Sequence, residues 1–139
     1  MALRRDAKIE LLKKVPLFAG CSKSELSQLA KTADELDVRE GTVLTREGRA
    51  GREFFVLISG TAKVTKSGRK VADLGPGDWL GEIALITDSP RTATVTATSP
   101  VDLLVITERR FRTVVETMPS IALKVLSTVG ERLSRDAHT

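Results

Sequence analysis

The stretch GEIALITDSPRTATV, Gly81 to Val95, places a carboxylate at the start of a short apolar segment and an arginine nine residues later. The apolar run Ile83 to Ile86 predicts a helix of one or two turns, and the unbonded amides at a helix start favour an anion. Gly81 has no side chain, so a ligand could approach the backbone there. Arg91 carries a planar guanidinium suited to phosphate oxygens. The stretch therefore predicts an anion-binding site.

Glu82 limits what this anion can be, because a carboxylate repels a phosphate placed directly beside it. A phosphate attached to a sugar would suit both side chains. Arg91 and the amides near Ile83 and Ala84 would then hold the phosphate, while Glu82 holds a ribose hydroxyl. The alternative is an ion pair between Glu82 and Arg91 across a turn. The spacing of the two residues does not separate these interpretations.

Short β-rich runs lie on both sides of this stretch, beginning at about Asp37 and separated by glycine and proline turns. Six or more short strands at such spacing predict a small antiparallel barrel or sandwich. The predicted strands are Val43–Leu44, Phe54–Ile58, Ala62–Val64, Val71–Leu74, Ala93–Ala97 and Val101–Ile106.

Helical patterns flank the β-rich region at both ends. Ser22 and Glu25 have the S-x-x-E spacing of a capping box, which predicts the start of a second helix after a short first one. After Thr107 the helical period returns, and it is interrupted at Met118-Pro119. These patterns predict one structural domain with three parts: an N-terminal helical segment at 1–36, a β-roll at 37–107 and C-terminal hinge and lid helices at 108–139.

Composition excludes several classes of protein. The chain has 139 residues and 22 Lys and Arg against 18 Asp and Glu, spread without a dense basic block, so a solvated surface is favoured over nucleic-acid binding. No apolar run is long enough to span a membrane, and the N-terminus lacks a signal-peptide core, which predicts a cytoplasmic protein. The single cysteine, Cys21, and the single histidine, His138, offer no metal site and no catalytic set. We therefore expect no metal and no enzyme activity.

The opening stretch closely resembles the phosphate-binding cassette of cyclic nucleotide-binding domains, usually written F-G-E-[IL]-A-L, a short spacer, then P-R-[AST]-A. EGRAGREFFVLISG at 47–60 and LGPGDW at 74–79 resemble the same family's glycine turn with its strand and its lead-in to the cassette. The resemblance covers nearly the whole chain. It implies a mainly β fold with flanking helices, an eight-stranded antiparallel β-roll of the jelly-roll barrel type. The cassette residues that match are Gly81, Glu82, Ala84, Leu85, Pro90, Arg91 and Ala93.

The resemblance also assigns roles to individual residues. It implies that Glu82 binds the ribose 2′-hydroxyl and that Arg91 binds an exocyclic oxygen of the cyclic phosphate. Val71 and Leu74 are candidates for the base pocket. The nearest candidates for a lid over the base are Leu133, Ser134 and Asp136. The predicted ligand-binding residues are Gly81, Glu82, Ile83, Ala84, Arg91, Thr92, Ala93, Val71 and Leu74.

The chain departs from the family pattern beside the cassette. Leu80 stands where an aromatic residue often precedes the Gly-Glu pair. Arg49 and Arg52 stand in a loop that is often acidic in the family. A basic residue there would raise the local potential for an anion or lie solvated at the surface.

The function implied is a sensor of a cyclic nucleotide, cAMP rather than cGMP, that passes binding to an unidentified protein effector through its last two helices. Thr92 carries a hydroxyl that in some members is associated with cGMP. In this interpretation ligand binding moves Ile83, Leu85 and Ile86. These side chains transmit the movement to the helix after Thr107. Direct binding to DNA or to a membrane is not expected.

The alternative function is a nucleotide-independent interaction module that keeps the fold. The apolar stripe from Ile121 to Leu133 would then serve for docking or for a homodimer, although packing on the protein's own core is the favoured interpretation of that stripe. Glu82 and Arg91 favour the sensor, because a degenerate pocket has no use for both residues.

Overall fold

A computed structural model describes the backbone of residues 4–137 and the side chains of residues 4–131. The lid candidates Leu133, Ser134 and Asp136, and His138, lie outside the described residues. The chain divides into two compact units: residues 33–108 form a β unit, and the helices before and after it form a helical unit.

The β unit contains eight strands in two four-stranded antiparallel sheets. One sheet has the order β1-β8-β3-β6 and the other β2-β7-β4-β5. This arrangement confirms the predicted eight-stranded antiparallel fold. The strands are β1 (Asp34–Val38), β2 (Val43–Thr45), β3 (Glu53–Ser59), β4 (Ala62–Lys66), β5 (Arg69–Leu74), β6 (Trp79–Leu80), β7 (Thr94–Ala97) and β8 (Val101–Thr107).

The core of the β unit lies between the two sheets and follows from alternation along the strands. Successive side chains in a strand point to opposite faces, so every second apolar residue can be buried on one side. Phe55 and Leu57 of β3, Val95 of β7 and Leu103 of β8 belong to one cluster of buried side chains. Packing of these residues fixes both sheets around the loop that carries the cassette.

Two strands were not predicted from the apolar pattern. β1 begins at Asp34, three residues before the predicted start of the β region, and its sequence DELDV contains three acidic residues. It pairs only with β8, at the edge of its sheet, where charged residues are tolerated and help to prevent pairing with other chains. β6 contains two residues, too few for a period to be visible.

Within the described residues, the helical unit contains four α-helices and one 3₁₀ turn, Pro16–Phe18. Phe18 of this turn lies 6.2 Å from Phe111, centroid to centroid. Met118 separates the last two helices, as the sequence predicts. None of the described helices is both long and apolar enough to cross a membrane. The helices are α1 (Arg5–Lys13), α2 (Lys23–Thr32), α3 (Glu108–Thr117) and α4 (Pro119–Ala137).

The predicted capping box is present at the start of α2. The Ser22 amide donates to Glu25 Oε1 at 2.7 Å, and the Glu25 amide donates to Ser22 Oγ at 3.2 Å. The same carboxylate also accepts hydrogen bonds from Ser120 Oγ at 2.7 Å and from Lys124 Nζ. Glu25 is buried, so this carboxylate joins α2 to α4 inside the helical unit.

The Glu25 carboxylate makes the stability of the protein sensitive to acid. The Lys124 ammonium, then the Ser22 amide and the Ser120 hydroxyl, lower the pKa of Glu25 to about 2 from an ordinary 4.5. A carboxylate with a depressed pKa stabilises the fold above its unfolded pKa, and this contribution is lost as the pH falls toward the folded value. We expect Glu25→Gln to reduce the free energy of unfolding at pH 7 by about 1.5 to 3 kcal/mol.

Urea denaturation at pH 7, 4.5 and 3 measures this effect. The difference between wild type and Glu25→Gln should shrink steadily below pH 4.5. Glu10→Gln, on the exposed face of α1, is the matched control and should behave like wild type at each pH. A difference that stays constant from pH 7 to pH 3 would contradict the assignment.

Candidate functional site

A cavity of about 420 Å³ opens in the β unit beside the cassette. All nine residues predicted to bind the ligand line it. The structure thus brings the predicted site residues together around one space. The cavity is lined by Thr45, Val64, Lys66, Val71, Leu74, Trp79, Leu80, Gly81, Glu82, Ile83, Ala84, Ser89, Pro90, Arg91, Thr92, Ala93 and Val95.

The apolar segment after Gly81 forms a single 3₁₀ turn, Glu82–Leu85, rather than an α-helix. The Ala84 amide donates to the Gly81 carbonyl at 3.0 Å. Gly81 itself has a φ of 83°, in the left-handed region that favours glycine. A helix dipole is small over four residues, so this turn offers an anion less attraction than the helix that the sequence predicts.

Leu85 in this turn is buried, whereas Ile83 in the turn and Ile86 directly after it are exposed. The three side chains therefore do not share one buried face.

The backbone of Arg91 is tied to the loop between β2 and β3. The Arg91 amide donates to the Arg49 carbonyl at 2.9 Å, and the Gly48 amide donates to the Arg91 carbonyl at 2.9 Å. The side chain turns toward the start of β3, where Nη2 donates to the carbonyl oxygen of Glu53 at 2.6 Å. A main-chain carbonyl is therefore one partner that holds this guanidinium.

Two glycines make room for the guanidinium. A Cβ placed on Gly51 would overlap Nε, Cζ and Nη2 of Arg91, and one placed on Gly81 would overlap Nη1 and lie 2.6 Å from the Glu53 carbonyl oxygen. We call this space between Gly51 and Gly81 the arginine slot. Gly51 and the Glu53 carbonyl are functional elements that the sequence analysis did not identify. The only signal was the pair of glycines in EGRAGRE, which predicted a turn.

Burial in the slot changes the electrostatics of Arg91. It lowers the pKa of the guanidinium from its ordinary value, while the nearby Glu53 carboxylate acts in the opposite direction. Burial penalises a charge that has lost part of its water, so an anion entering the cavity would be attracted strongly. Arginine carries five N–H donors in a fixed plane, so further donors are present besides the one directed at Glu53.

Glu82 lies on the wall of the same cavity, and its Oε2 atom is buried. A buried carboxylate oxygen is suited to accept a hydrogen bond from a hydroxyl group. The structure therefore places an acceptor and a cationic donor around one space, as a sugar phosphate requires. No group of three His, Cys, Asp or Glu side chains among the described residues could hold a metal ion.

Apolar side chains also line the cavity. They include Val64, Val71 and Leu74, of which Val71 is 56% exposed. Thr45 and Trp79 also contribute, and neither was identified from the sequence. Thr45 is buried and donates through Oγ1 to the Ala93 carbonyl at 3.0 Å, which ties β2 to the end of the cassette.

Comparison with known proteins agrees with this geometry. The family model named Cyclic nucleotide-binding domain matches residues 35–118. The cAMP-dependent protein kinase regulatory subunit of Yarrowia lipolytica is 43% identical over 96 residues, which cover 68% of this chain and 26% of that subunit. The chain spans well under half the length of the curated relatives that it matches.

Solved structures show the same fold. The N-terminal domain of a transcriptional regulator from Streptomyces coelicolor A3(2) superposes with a TM-score of 0.83 at 31% identity, covering 93% of this chain and 95% of that one. The cAMP-bound PfPKA-R superposes with a TM-score of 0.69 at 25% identity, covering 91% of this chain and 47% of that one.

Proposed function

Because the chain belongs to the cyclic nucleotide-binding domain family, we propose that its 420 Å³ cavity binds a 3′,5′-cyclic purine nucleotide, with cAMP preferred over cGMP. The observation that carries the proposal is Arg91, held in its slot at the wall of a cavity that also presents Glu82. The cavity volume falls within the range of roughly 300 to 1,000 Å³ that is usual for small-molecule sites. The relatives named for cAMP support the choice of nucleotide.

The phosphate lies against Arg91 in this proposal. Gly81 has no Cβ, so the guanidinium of Arg91 can lie against the start of the turn, where it faces the phosphate in this proposal. The Ala84 amide is engaged with the Gly81 carbonyl, so the guanidinium supplies the main charge-assisted hydrogen bonds. Amides near Thr92 and Ala93 complete the cradle from the other side of the cavity.

The ribose lies beside Glu82, whose carboxylate accepts a hydrogen bond from the 2′-hydroxyl. Such a charge-assisted bond contributes about 1.5 to 3 kcal/mol. We expect 2′-deoxy-cAMP to bind roughly ten- to 150-fold more weakly than cAMP. Competition calorimetry measures the ratio of the two affinities. A cAMP analogue that is modified only on the base and keeps its 2′-hydroxyl is the control ligand. Equal affinity of the 2′-deoxy analogue would show that Glu82 has another role.

The base lies against the apolar side chains of Val64, Val71 and Leu74. Thr92 is exposed at the rim, where its hydroxyl could serve either purine. The relatives named for cAMP favour cAMP as the ligand. A tenfold or greater preference for cGMP in a competition titration would overturn this choice.

Isothermal titration of the chain with cAMP tests the proposal directly. Non-cyclic 5′-AMP, which has the same base and ribose, is the control and should bind much more weakly. Saturable 1:1 binding of cAMP supports the proposal. Absence of heat and of any competition with labelled cAMP at millimolar concentration rejects it.

We further propose that occupancy of the cavity is transmitted to the C-terminal helices and from there to a protein effector. A ligand shifts the balance between two arrangements of the helices only if it binds one arrangement more tightly than the other. The proposal therefore requires that hydrogen exchange in the C-terminal helices differs between the free and the bound protein. Hydrogen exchange with and without cAMP measures this. Changes confined to residues 81–93, with none in residues 111–131, would exclude transmission.

One observation favours the alternative, a module for docking or self-association. Leu123 and Leu126 of α4 are each 69% exposed, whereas Ile121 and Val125 on the opposite face are buried. An exposed apolar face on a helix is suited to pairing with another helix. Sedimentation of wild type and Leu126→Lys at several concentrations distinguishes a homodimer from a monomer.

A further inference from the structure

Among the described residues, three charged side chains line the 420 Å³ cavity, and only two of them have a role in the proposed function. Arg91 and Glu82 belong to the cassette. The third, Lys66, is the last residue of β4. Its ammonium group supplies three hydrogen-bond donors and no acceptor, so a ligand group that it contacts must offer acceptors.

Alternation along β4 places Lys66 on the side of the strand that faces the cavity. Ala62 is buried in the core between the two sheets, and Val64 and Lys66 follow it at intervals of two, so the three residues lie on one face. Val64 and Lys66 both line the cavity. Lys63 lies on the other face of β4, where it is exposed and does not line the cavity.

A bulge in β5 brings a further residue to the same wall of the cavity. The register between β4 and β5 shifts after Val64, so that Ala72 and Lys70 have partners in β4 and Val71 between them does not. In a regular strand Val71 and Leu74, three residues apart, would point to opposite faces, yet both line the cavity. The bulge therefore turns Val71 toward the cavity, on the wall that the β4–β5 hairpin forms.

Within the part of the chain that the structure describes, Lys66 has a positive neighbour and no ion pair. Its register partner in β5 is Arg69, and like charges that face each other across two strands are unfavourable. The carboxylate of Asp73 in β5 pairs with Lys70 at 2.9 Å instead. A ligand acceptor in the cavity can therefore engage the Lys66 ammonium without breaking an existing ion pair.

We propose that Lys66 is a specificity-determining residue that donates to the N7 and O6 edge of a guanine base, and that it thereby narrows the preference of the site for cAMP over cGMP. The inference rests on the proposed function, which places the base against Val64 and Val71, beside Lys66. Guanine presents two acceptors on this edge, N7 and O6, whereas adenine presents N7 and the donor N6 amino group. An ammonium group therefore gains more from guanine than from adenine.

A separate contact with guanine is available to Thr92, which lines the same cavity. Its hydroxyl can accept from the 2-amino group, which adenine lacks. Inosine 3′,5′-cyclic monophosphate, cIMP, separates the two contacts, because its base keeps N7 and O6 but has no 2-amino group. A contribution of Lys66 should therefore be the same for cGMP and for cIMP.

Titration of wild type and Lys66→Met with cAMP, cGMP and cIMP, each in competition with a labelled nucleotide, tests the inference. Methionine keeps an unbranched apolar stem and removes the ammonium group. In Lys66→Met the affinities for cGMP and cIMP should each fall by about fivefold or more, and the affinity for cAMP by less than about twofold. Lys66→Arg keeps donors for the same edge and should retain the binding of cGMP and cIMP.

Lys63→Met is the matched control, since it removes the same charge from the other face of β4. All three of its affinities should stay within about twofold of wild type. The three nucleotides carry the same charge, so a change in the ratio of their affinities cannot come from long-range attraction. The free energy of unfolding of each variant is measured in parallel.

The outcomes distinguish the inference from the proposed function. If wild type binds none of the three nucleotides, both are rejected. If wild type binds cAMP and Lys66→Met leaves the three affinities unchanged or lowers all three by the same factor, the inference alone is rejected, because Lys66 then contacts no group that differs between the bases. Weaker binding of cGMP without weaker binding of cIMP rejects it as well.

Discussion

Arg91→Ala is expected to lower the affinity for cAMP by roughly thirty-fold to several thousand-fold, which corresponds to about 2 to 5 kcal/mol. The guanidinium is partly desolvated in its slot, so its attraction to a phosphate is screened less than that of a surface cation. Removing it leaves a desolvated phosphate without a cationic partner. The loss should appear mainly as faster dissociation, because the contact is partly desolvated inside the cavity.

Calorimetry on Arg91→Ala and on two comparison variants measures this effect. Lys63→Ala removes one positive charge from an exposed position of β4 that does not line the cavity, and its affinity should stay within a few-fold of wild type. Arg91→Lys keeps the charge but not the planar pair of donors, so an intermediate affinity is expected. Unchanged affinity of Arg91→Ala for cAMP would show that the phosphate does not bind at Arg91.

Gly81→Ala is expected to reduce the free energy of unfolding by about 2 to 5 kcal/mol and to abolish measurable cAMP binding. Two causes add. The residue has a φ of 83°, which costs about 1 to 2 kcal/mol for a residue with a Cβ. The new methyl group would also lie 2.6 Å from the Glu53 carbonyl oxygen and overlap Arg91 Nη1. The carbonyl belongs to β3 and cannot move without disturbing the strand's pairing with β8.

Gly68→Ala separates these two causes. Gly68 has a φ of 79°, close to that of Gly81, but nothing lies within 4 Å of a Cβ placed there, and it does not line the cavity. Its substitution should cost only the conformational part, about 1 to 2 kcal/mol, and should leave cAMP binding nearly unchanged. Urea denaturation and calorimetry on both variants test the comparison. Equal losses of stability in the two would mean that the slot around Gly81 is less crowded than the structure indicates.

The cassette could be predicted from the sequence because its chemistry depends on residue types at short spacing. Gly81, Glu82 and Arg91 lie within eleven consecutive residues, and the structure places all three on one cavity wall. The β-rich runs were visible for a similar reason, because alternation of buried side chains is a local property. β7 is the clearest example, because its buried residues Val95 and Ala97 alternate with threonines.

The remaining features depend on contacts between residues far apart in the chain. The Glu53 carbonyl holds Arg91 across 38 positions, and no pattern of side chains marks a carbonyl as an acceptor. β1 is acidic and pairs with β8, which lies more than sixty residues later. The sequence alone does not predict the contacts of Arg52. Its partners Asp88 and Glu108 are distant in the chain and come near it only in the folded protein.

The arginine slot limits the substitutions that this sequence can accumulate at residue 51. Gly51 does not have a positive φ, so the Arg91 guanidinium, rather than a left-handed backbone, is what opposes a side chain there. A side chain at residue 51 is therefore disfavoured as long as Arg91 lies in the slot. A descendant that loses the arginine gains freedom at residue 51, and a larger residue fixed there would force a restored Arg91 guanidinium out of the slot. Loss of ligand binding by this route would be difficult to reverse by restoring the arginine alone. A side chain at residue 51 would identify a chain in which that loss has occurred.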